Sequence, residues 1–404
     1  MPDGTQLTDL VYKRRELLYY LLRHRDQLIT RSDLVDIMGV SQPAVTTWLK
    51  SLLKAGLVKE VNVNTAIPMV GRPRMQVSIA PDAAWVGALH ITYRTAEIGL
   101  VNIVGETVKS FAMRWEKEDL AYSKSLLKSL VSKLQRWVTA NGIPPERMLG
   151  LGVATSGPID NKRGVLLSYL TGNDGWQPFD VPLRSILAAK TSWPIYMDTN
   201  AWAIAMGERW FGAGNKNFIV IHVSEGIGMG TVLNGQLWRG GGLAGELIPV
   251  TTMLQNTESQ LYGHSYPITD IVSRKSILNR LPAEKGITGL HQAVEMAQQG
   301  DADVLEVLMD CAEAISLLCT PLANALDPEA IVLSGPIFRV PQVMDYIRQY
   351  VKAHSFSSLL TGARPAVVPA SFQHNAGLVG AASLVYNKVF YRDEAPDNAL
   401  ASAG

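Results

Sequence analysis

Apolar residues recur at helical spacing from the start of the chain. Leu10, Leu17, Leu18, Leu21 and Leu22 form one stripe and predict a helix over Asp9–Arg25. A second helix is predicted from Arg31, with Thr30 as N-cap, Asp33 at capping-box spacing and Gly39 as a left-handed stop. A third follows a three-residue turn. Ser41 is its expected cap, Pro43 sits in the first turn, Val45, Leu49, Leu52 and Leu53 form the buried stripe, and Gly56 ends it. Leu57–Val63 and Met75–Ile79 then read as two strands around a loop holding Pro68 and Gly71-Arg72-Pro73-Arg74.

From residue 83 the pattern changes to strands, helices and glycine turns, which predicts an α/β body. Ala84–Ile91, Thr95–Asn102 and Glu106–Met113 read as a strand meander, Ser123–Asn141 as an amphipathic helix and Met148–Ala154 as a buried strand. A second unit opens with strand Ile195–Asp198 and helix Ala201–Trp210. Strands Phe218–Val223 and Gly230–Leu233 then flank Gly226-Ile227-Gly228-Met229-Gly230. Helices Asp301–Ala325, Pro341–Ala353 and Gly377–Lys388 and strands Ala330–Leu333 and Ala366–Pro369 complete it. Both halves begin with a meander and end in helices, a pattern consistent with internal duplication.

Composition narrows the function classes. At 404 residues the chain exceeds what one core usually organises. Hydrophobic residues make up 47% and charged ones 18%, a balance that opposes disorder and suits large cores. The net charge of +1 excludes a uniformly basic coat, but it is segregated: residues 1–80 carry 11 Lys/Arg and 7 Asp/Glu, whereas the remainder is slightly acidic. Two cysteines eight residues apart, Cys311 and Cys319, offer neither a disulfide framework nor a zinc motif. The polar start and the lack of a long apolar run predict a cytoplasmic protein with no membrane insertion.

The second and third helices have helix-turn-helix spacing, and the strand pair after them predicts a winged form. In that geometry the second helix enters the major groove with its N-terminal side chains on base edges. The candidate DNA-reading residues are Ser41, Gln42, Thr46, Thr47 and Lys50, with Arg72 and Arg74 on the wing. Gln pairs bidentately with adenine, and Thr offers a hydroxyl and a methyl group. Lys50, Lys54, Arg31 and Arg14 can neutralise phosphates. Two arginines on a proline-stiffened turn suit a narrow A·T-rich minor groove. A three-helix unit with a polar face also serves as an ordinary interaction module. Its terminal position, caps, basic excess and arginine wing favour DNA.

Five ordered blocks carry a resemblance: Gly152-Val153-Ala154-Thr155-Ser156-Gly157-Pro158-Ile159-Asp160, Asn173-Asp174-Gly175-Trp176, Trp210-Phe211-Gly212-Ala213-Gly214, Gly226-Ile227-Gly228-Met229-Gly230 and Gly245-Glu246. From Leu7 to about Tyr391 the chain resembles the ROK family of bacterial sugar kinases and related repressors, and its head resembles the repressor branch. The resemblance implies a winged helix-turn-helix followed by a two-lobed actin/hexokinase-like (ribonuclease H-like) body. The implied domains are 1–80, a first lobe of 81–197 plus helix 373–391, and a second lobe of 198–372 with the ligand cleft and oligomerisation surface.

Read position by position, the kinase chemistry departs from the family pattern. His90 stands where family kinases open with Asp, and Thr92-Tyr93-Arg94 replaces the glycine-rich phosphate turn. The family's Glu-Asn-Asp-Ala-Asn aligns with Asp198-Thr199-Asn200-Ala201-Trp202, so the base position is Asn200. An amide cannot serve as general base near neutral pH. A one-residue slip would make Asp198 the base but would misplace the flanking motifs. The family's Gly-Glu-x-Gly-His ends here in Pro249, and the stretch replacing its zinc loop, 255–267, offers only His264. The expected ligand-binding residues are Gly157, Asn173, Asn200, Glu246 and Asp270, with no metal and no cofactor. Trp176, Trp202, His90, His222 and His264 are expected to be structural, and Gly226–Gly230 a tight strand connection, with nucleotide binding as the competing reading of that turn.

The expectation is therefore a non-enzymatic transcriptional regulator, a repressor of carbohydrate uptake or catabolism genes. Its partners would be a palindromic, A·T-rich double-stranded DNA operator, a sugar effector and further copies of itself, as a homodimer or a dimer of dimers. The competing readings are a sugar kinase with an appended regulatory domain and a scaffold docking a sugar-transport protein.

Overall fold

The structure, a computed structural model, describes residues 16–25, 27–62, 75–92, 94–115, 123–171, 175–214, 216–247, 250–257, 259–362, 365–372 and 374–390. Its N-terminal unit contains α1 (16–23), α2 (Arg31–Met38), α3 (Gln42–Lys54) and the antiparallel pair β1 (Val58–Asn62) and β2 (Met75–Ile79). Leu17, Leu21, Leu22, Leu34, Val45, Leu49, Leu52, Val58 and Val77 form its core. Thr30 and Asp33 close the predicted capping box, and Gly39 ends α2 at φ +60°. Two details differ from expectation in α3. Trp48 joins the buried stripe while Leu53 is only half-buried. Ser41 occupies the N-cap position, but its hydroxyl makes no capping hydrogen bond.

Two five-stranded sheets follow, and they share one topology. In the first, β3 (Trp85–Ile91), β4 (Thr95–Asn102) and β5 (Thr107–Arg114) form an antiparallel meander. β6 (Met148–Thr155) joins β3 in parallel, and β10 (Ile195–Thr199) joins β6. In the second, β11 (Phe218–Val223), β12 (Ile227–Leu233) and β13 (Gln236–Trp238) make the meander. β16 (Ala330–Ser334) and β17 (Ala366–Pro369) add in parallel on the other side of β11. The repeat matches the predicted duplication. Parallel strands buried on both faces need continuous apolar runs, as Phe218–Ile221 and Ala330–Leu333 provide.

A small three-stranded sheet of β7 (Ile159–Asp160), β8 (Val165–Thr171) and β9 (Gly175–Val181) lies between α4 (Lys124–Ala140) and α5 (Leu183–Ala188) in the chain. Beyond β13 come β14 (Thr251–Met253) paired with β15 (Ser265–Pro267), then α7 (Thr269–Val272), α8 (Arg274–Arg280), α9 (Leu290–Gln298), α10 (Ala302–Leu326), α11 (Pro341–His354) and α12 (Phe356–Thr361). The apolar faces of α7–α11 share one core with β11, β12 and β16. Among the described residues, no helix is long and apolar enough to cross a membrane.

Two helices join the sheets. α6 (Asn200–Phe211) is buried almost all round, and α13 (Ala376–Phe390) packs between it and strands β3 and β6. Their contact needs a small residue, since a Cβ on Gly380 would lie 2.6 Å from Ala203 backbone atoms; the seat of α13 on β6 needs another, since a Cβ on Gly152 would lie 1.9 Å from the Ala381 carbonyl oxygen.

Candidate functional site

Ser41, Gln42, Thr46, Thr47 and Lys50 are all exposed along α3, while Val45, Trp48, Leu49 and Leu52 face the core. The Thr47 hydroxyl donates to the Pro43 carbonyl at 2.9 Å, so its donor is used inside the helix. Arg31, expected on phosphate, is instead gripped by Glu60 through Nε–Oε1 at 2.5 Å and Nη2–Oε2 at 2.8 Å. Arg14, Arg72 and Arg74 lie outside the described residues.

The second candidate site begins where β10 runs into α6. Asp198 is buried at the strand end, and its Oδ2 pairs with Arg239 Nη2 at 2.5 Å. Arg239 arrives from the loop after β13, and its guanidinium lies 4.6 Å from the centre of the Trp202 ring. Trp202 Nε1 donates to the Ala244 carbonyl at 2.9 Å, fastening the same loop to α6. Trp202 is thus buried structure, as expected, but it also anchors that loop. At the loop's end Gly245 adopts φ +93° with no room for a Cβ, because Met229 backbone atoms press on it. This close approach brings Glu246 beside Gly228.

Asn200 is buried, and its Nδ2 donates to Ser156 Oγ at 3.1 Å, one residue before half-buried Gly157. Asn200 Oδ1, Thr155 Oγ1 and Arg239 Nη1 are buried with no hydrogen-bond partner. Each such atom costs free energy until something bonds it. Burial pushes the Glu246 carboxyl above its ordinary range. Burial also pushes Asp198 up, against the opposing pull of Arg239. The structure therefore places Asn200 beside Ser156, next to Gly157, and Glu246 beside Gly228. Asp270 is exposed on α7, and Asn173 and Pro249 lie outside the described residues.

On the first sheet, His90 at the end of β3 lies against Gly377 at the start of α13. Neither of its ring nitrogens has a hydrogen-bond partner, and Glu97 is 3.5 Å away. His222 at the end of β11 contacts Ser334 Oγ at 3.0 Å. Burial, with the nearby His90 second, pushes the His222 pKa down to about 3. The predicted glycine connection is tight: Ser224 N–H donates to the Gly226 carbonyl, and Gly230 lets α6 approach β12 at Ala201. His264 is exposed beside Tyr266.

A family model described as "ROK family" matches residues 97–388. The chain belongs to the ROK family. A model described as "Bacterial regulatory protein, arsR family" matches residues 12–60, the segment holding α1–α3. The chain is similar to the xylose repressor of Bacillus spizizenii, 24% identical over 88% of this chain and 91% of that one. It is also similar to the glucokinase of Halalkalibacterium halodurans, 25% identical over 74% of this chain and 94% of the enzyme. Among solved structures, a ROK family transcriptional regulator that is a homolog of E. coli MLC protein superposes with a TM-score of 0.68. That fold likeness covers 93% of this chain and 96% of the other at 18% identity. The ROK hexokinase from Thermus thermophilus reaches 0.57 over 76% of this chain and 99% of that one, at 24% identity.

Within this ROK body, the sequence motifs pointed to Asn200 and Glu246 but not to Arg239. The overlooked signal was an arginine opening the run Arg239-Gly240-Gly241-Gly242, six residues before Gly245. Its pairing with Asp198 is long-range and has no local periodicity.

Proposed function

We propose that this ROK protein is a sugar-responsive transcriptional repressor. The observation that carries the reading is joint coverage. A polar, exposed α3 face stands in front of a ROK body, and the repressor relatives align with both parts. Ser41, Gln42, Thr46, Thr47 and Lys50 would meet the major groove, with Arg72 and Arg74 in the minor groove. Two copies would read a palindromic, A·T-rich operator. In the body, Asn200, Gly157, Glu246, Asn173 and Asp270 would bind the effector's hydroxyls.

α6 supplies a route from cleft to head. It starts at Asn200 and ends at Phe211, where α1 meets it. Arg23 donates to the carbonyls of Arg209 and Gly214, and Arg25 to that of Phe211. A ligand that prefers one position of this rod shifts the head's equilibrium by its differential affinity.

The test is a gel shift of the full chain with DNA from upstream of its own operon, across a salt series. Binding should weaken steeply with salt, and Lys50→Ala should lower the slope of log affinity against log salt by about one. Absent or salt-independent binding would overturn the reading.

The glucokinase likeness supports a second reading, an enzyme. Against it, Asn200 has no proton-accepting carboxylate and Asp198 is committed to Arg239. No ATP turnover over a panel of sugars is expected from the native chain. Turnover that Asp198→Ala abolishes would favour the enzyme.

A further inference from the structure

Between head and body lies a cavity of about 720 Å³. Its head wall carries Arg25 from the loop after α1, Lys59 on β1 and Ser78 on β2. Its body wall carries Glu106 in the β4–β5 turn, Thr107 at the start of β5 and Asn375 just before α13. The Phe211 ring ties the two walls together. The Arg25 guanidinium lies 5.3 Å from its centre, and a Cβ on Gly105 of the β4–β5 turn would lie 2.8 Å from its Cγ. The walls differ in charge. Both cations belong to the head, and among the described residues neither Arg25 nor Lys59 pairs with a carboxylate. Glu106 stands on the body, with one oxygen bound by Asn102 Nδ2 at 2.8 Å. The Thr107 hydroxyl is buried without a hydrogen-bond partner, a cost that rotation about χ1 toward the cavity would remove.

We propose that this cavity binds a polyhydroxylated monocarboxylate, a sugar acid, which bridges head and body. Charge selects the ligand class. Two cations against Glu106 leave one positive charge, which a monoanion balances. A neutral sugar leaves it bare, and a phosphomonoester, at about −1.5 to −2 near neutral pH, exceeds it and is repelled by Glu106. The head wall suits a carboxylate, because guanidinium and ammonium groups only donate and make their shorter, stronger bonds to charged oxygens. Arg25 donates from Nη2 to the Phe211 carbonyl at 2.8 Å, which leaves its other nitrogens for the ligand. Hydroxyls along the rest of the molecule would meet Ser78, Thr107, Asn375 and the second oxygen of Glu106. The Ser78 and Asn375 side chains make no hydrogen bond of their own among the described residues. A ligand touching both walls binds the docked arrangement and not the separated one, so it stabilises docking by its differential affinity. The cavity lies at the Phe211 end of α6, about 16 Å along the helix from Asn200. It is thus a second site beyond the effector residues of the repressor reading.

Isothermal titration of the full chain with D-gluconate, D-glucuronate, glucose, acetate and inorganic phosphate, at matched ionic strength, tests the site. At least one sugar acid should bind tenfold or more tightly than glucose, acetate and phosphate. Lys59→Met, at an exposed position, should cut that margin at least fivefold, and Thr107→Val at least threefold. Hydrogen exchange locates the bound acid, which should slow the amides of β1, β2 and the β4–β5 turn. The site is overturned if no sugar acid exceeds glucose, if acetate or phosphate binds as tightly, or if either variant keeps the margin. Slowing confined to the start of α6 around Asn200 overturns it as well. Should Lys59→Met not fold, Thr107→Val and hydrogen exchange decide. No DNA enters either measurement, so failure here leaves the repressor reading standing, and absent DNA binding leaves this site standing.

Discussion

At the residue scale, the cleft stores charge and neutral imidazole where water cannot compensate them, and acid should reveal both. His222 titrates near 6.5 when the chain unfolds but near 3 when folded, since burial opposes its charged form. A depressed histidine withholds the proton that the unfolded chain takes up. Its contribution is therefore intact above pH 6.5 and is lost as pH falls toward 3. Between pH 7.5 and 5 the loss is about 2 kcal/mol. Buried carboxyls such as Glu208 and Glu246, which burial pushes upward, work in the opposite direction over this range. The measurement is accordingly a difference: His222→Gln should lose less melting temperature than the parent on acidification, and equal losses would remove His222 from the account. Arg239→Ala should behave in the reverse sense. It strands Asp198 without its cation, costing about 1–2 kcal/mol at pH 8, given that Arg239 is partly exposed. That deficit should shrink at pH 5.5 as Asp198 takes a proton, which thermal unfolding at both values would detect. Asn200 was legible in the sequence because it interrupts a motif. The Asp198–Arg239 pair was not, because nothing local ties two residues 41 apart.

At the scale of elements, local chemistry wrote most of the boundaries into the chain. Thr30 and Asp33 satisfy each other's backbone partners, and Gly39 stops α2, as their spacing predicted. Ser41 shows where that logic ends, because a capping residue type sits at the right position without making the bond. The two serve as an internal comparison. Thr30→Ala should cost about 1 kcal/mol of head stability, whereas Ser41→Ala should cost only a few tenths, since there is no bond to lose. Denaturant melts of both variants check this, and equal costs would mean that the Ser41 hydroxyl caps in solution. The β7–β9 sheet had no comparable signature. Its strands run from Ile159 to Val181 through one proline, several glycines and Asp residues without steady alternation, and pairing depends on partners elsewhere in the fold. The repeated meander was legible because antiparallel strands joined by short turns keep their pattern local. The crossing of α6 and α13 depends on Gly380, and the seat of α13 on β6 on Gly152, whose need for space appears only once these elements are packed.

For the whole molecule, the question is how an N-terminal head is held to the body. The join is an aromatic and cationic seam on the C-terminal end of α6. Tyr19 meets Trp210 edge-on at 5.1 Å between ring centres, and Arg209 donates to the Tyr19 hydroxyl. Arg25 lies 5.3 Å from the centre of the Phe211 ring, and Trp210, Phe211 and Tyr386 share one core cluster with Leu17, Leu21 and Leu22 of α1. Arg23 and Arg25 also satisfy carbonyls at Arg209, Phe211 and Gly214, where a helix end exposes its negative pole. Head and body should thus open as one unit, with the α6 terminus as the coupling point. Replacing both guanidiniums, as Arg23→Ala/Arg25→Ala, removes charge-assisted bonds worth about 2 kcal/mol together while leaving the aromatic contacts in place. Amides of α2 and α3 should then exchange hydrogen about thirtyfold faster at neutral pH, with β11 and β16 protected as before. Uniform acceleration across head and body would point to global destabilisation, and no change in α2 and α3 would mean that the apolar seam alone holds the head. If the head is released selectively, the same variant should keep its cleft affinity and lose the effect of cleft occupancy on DNA, because the end of α6 that meets the head would no longer be gripped.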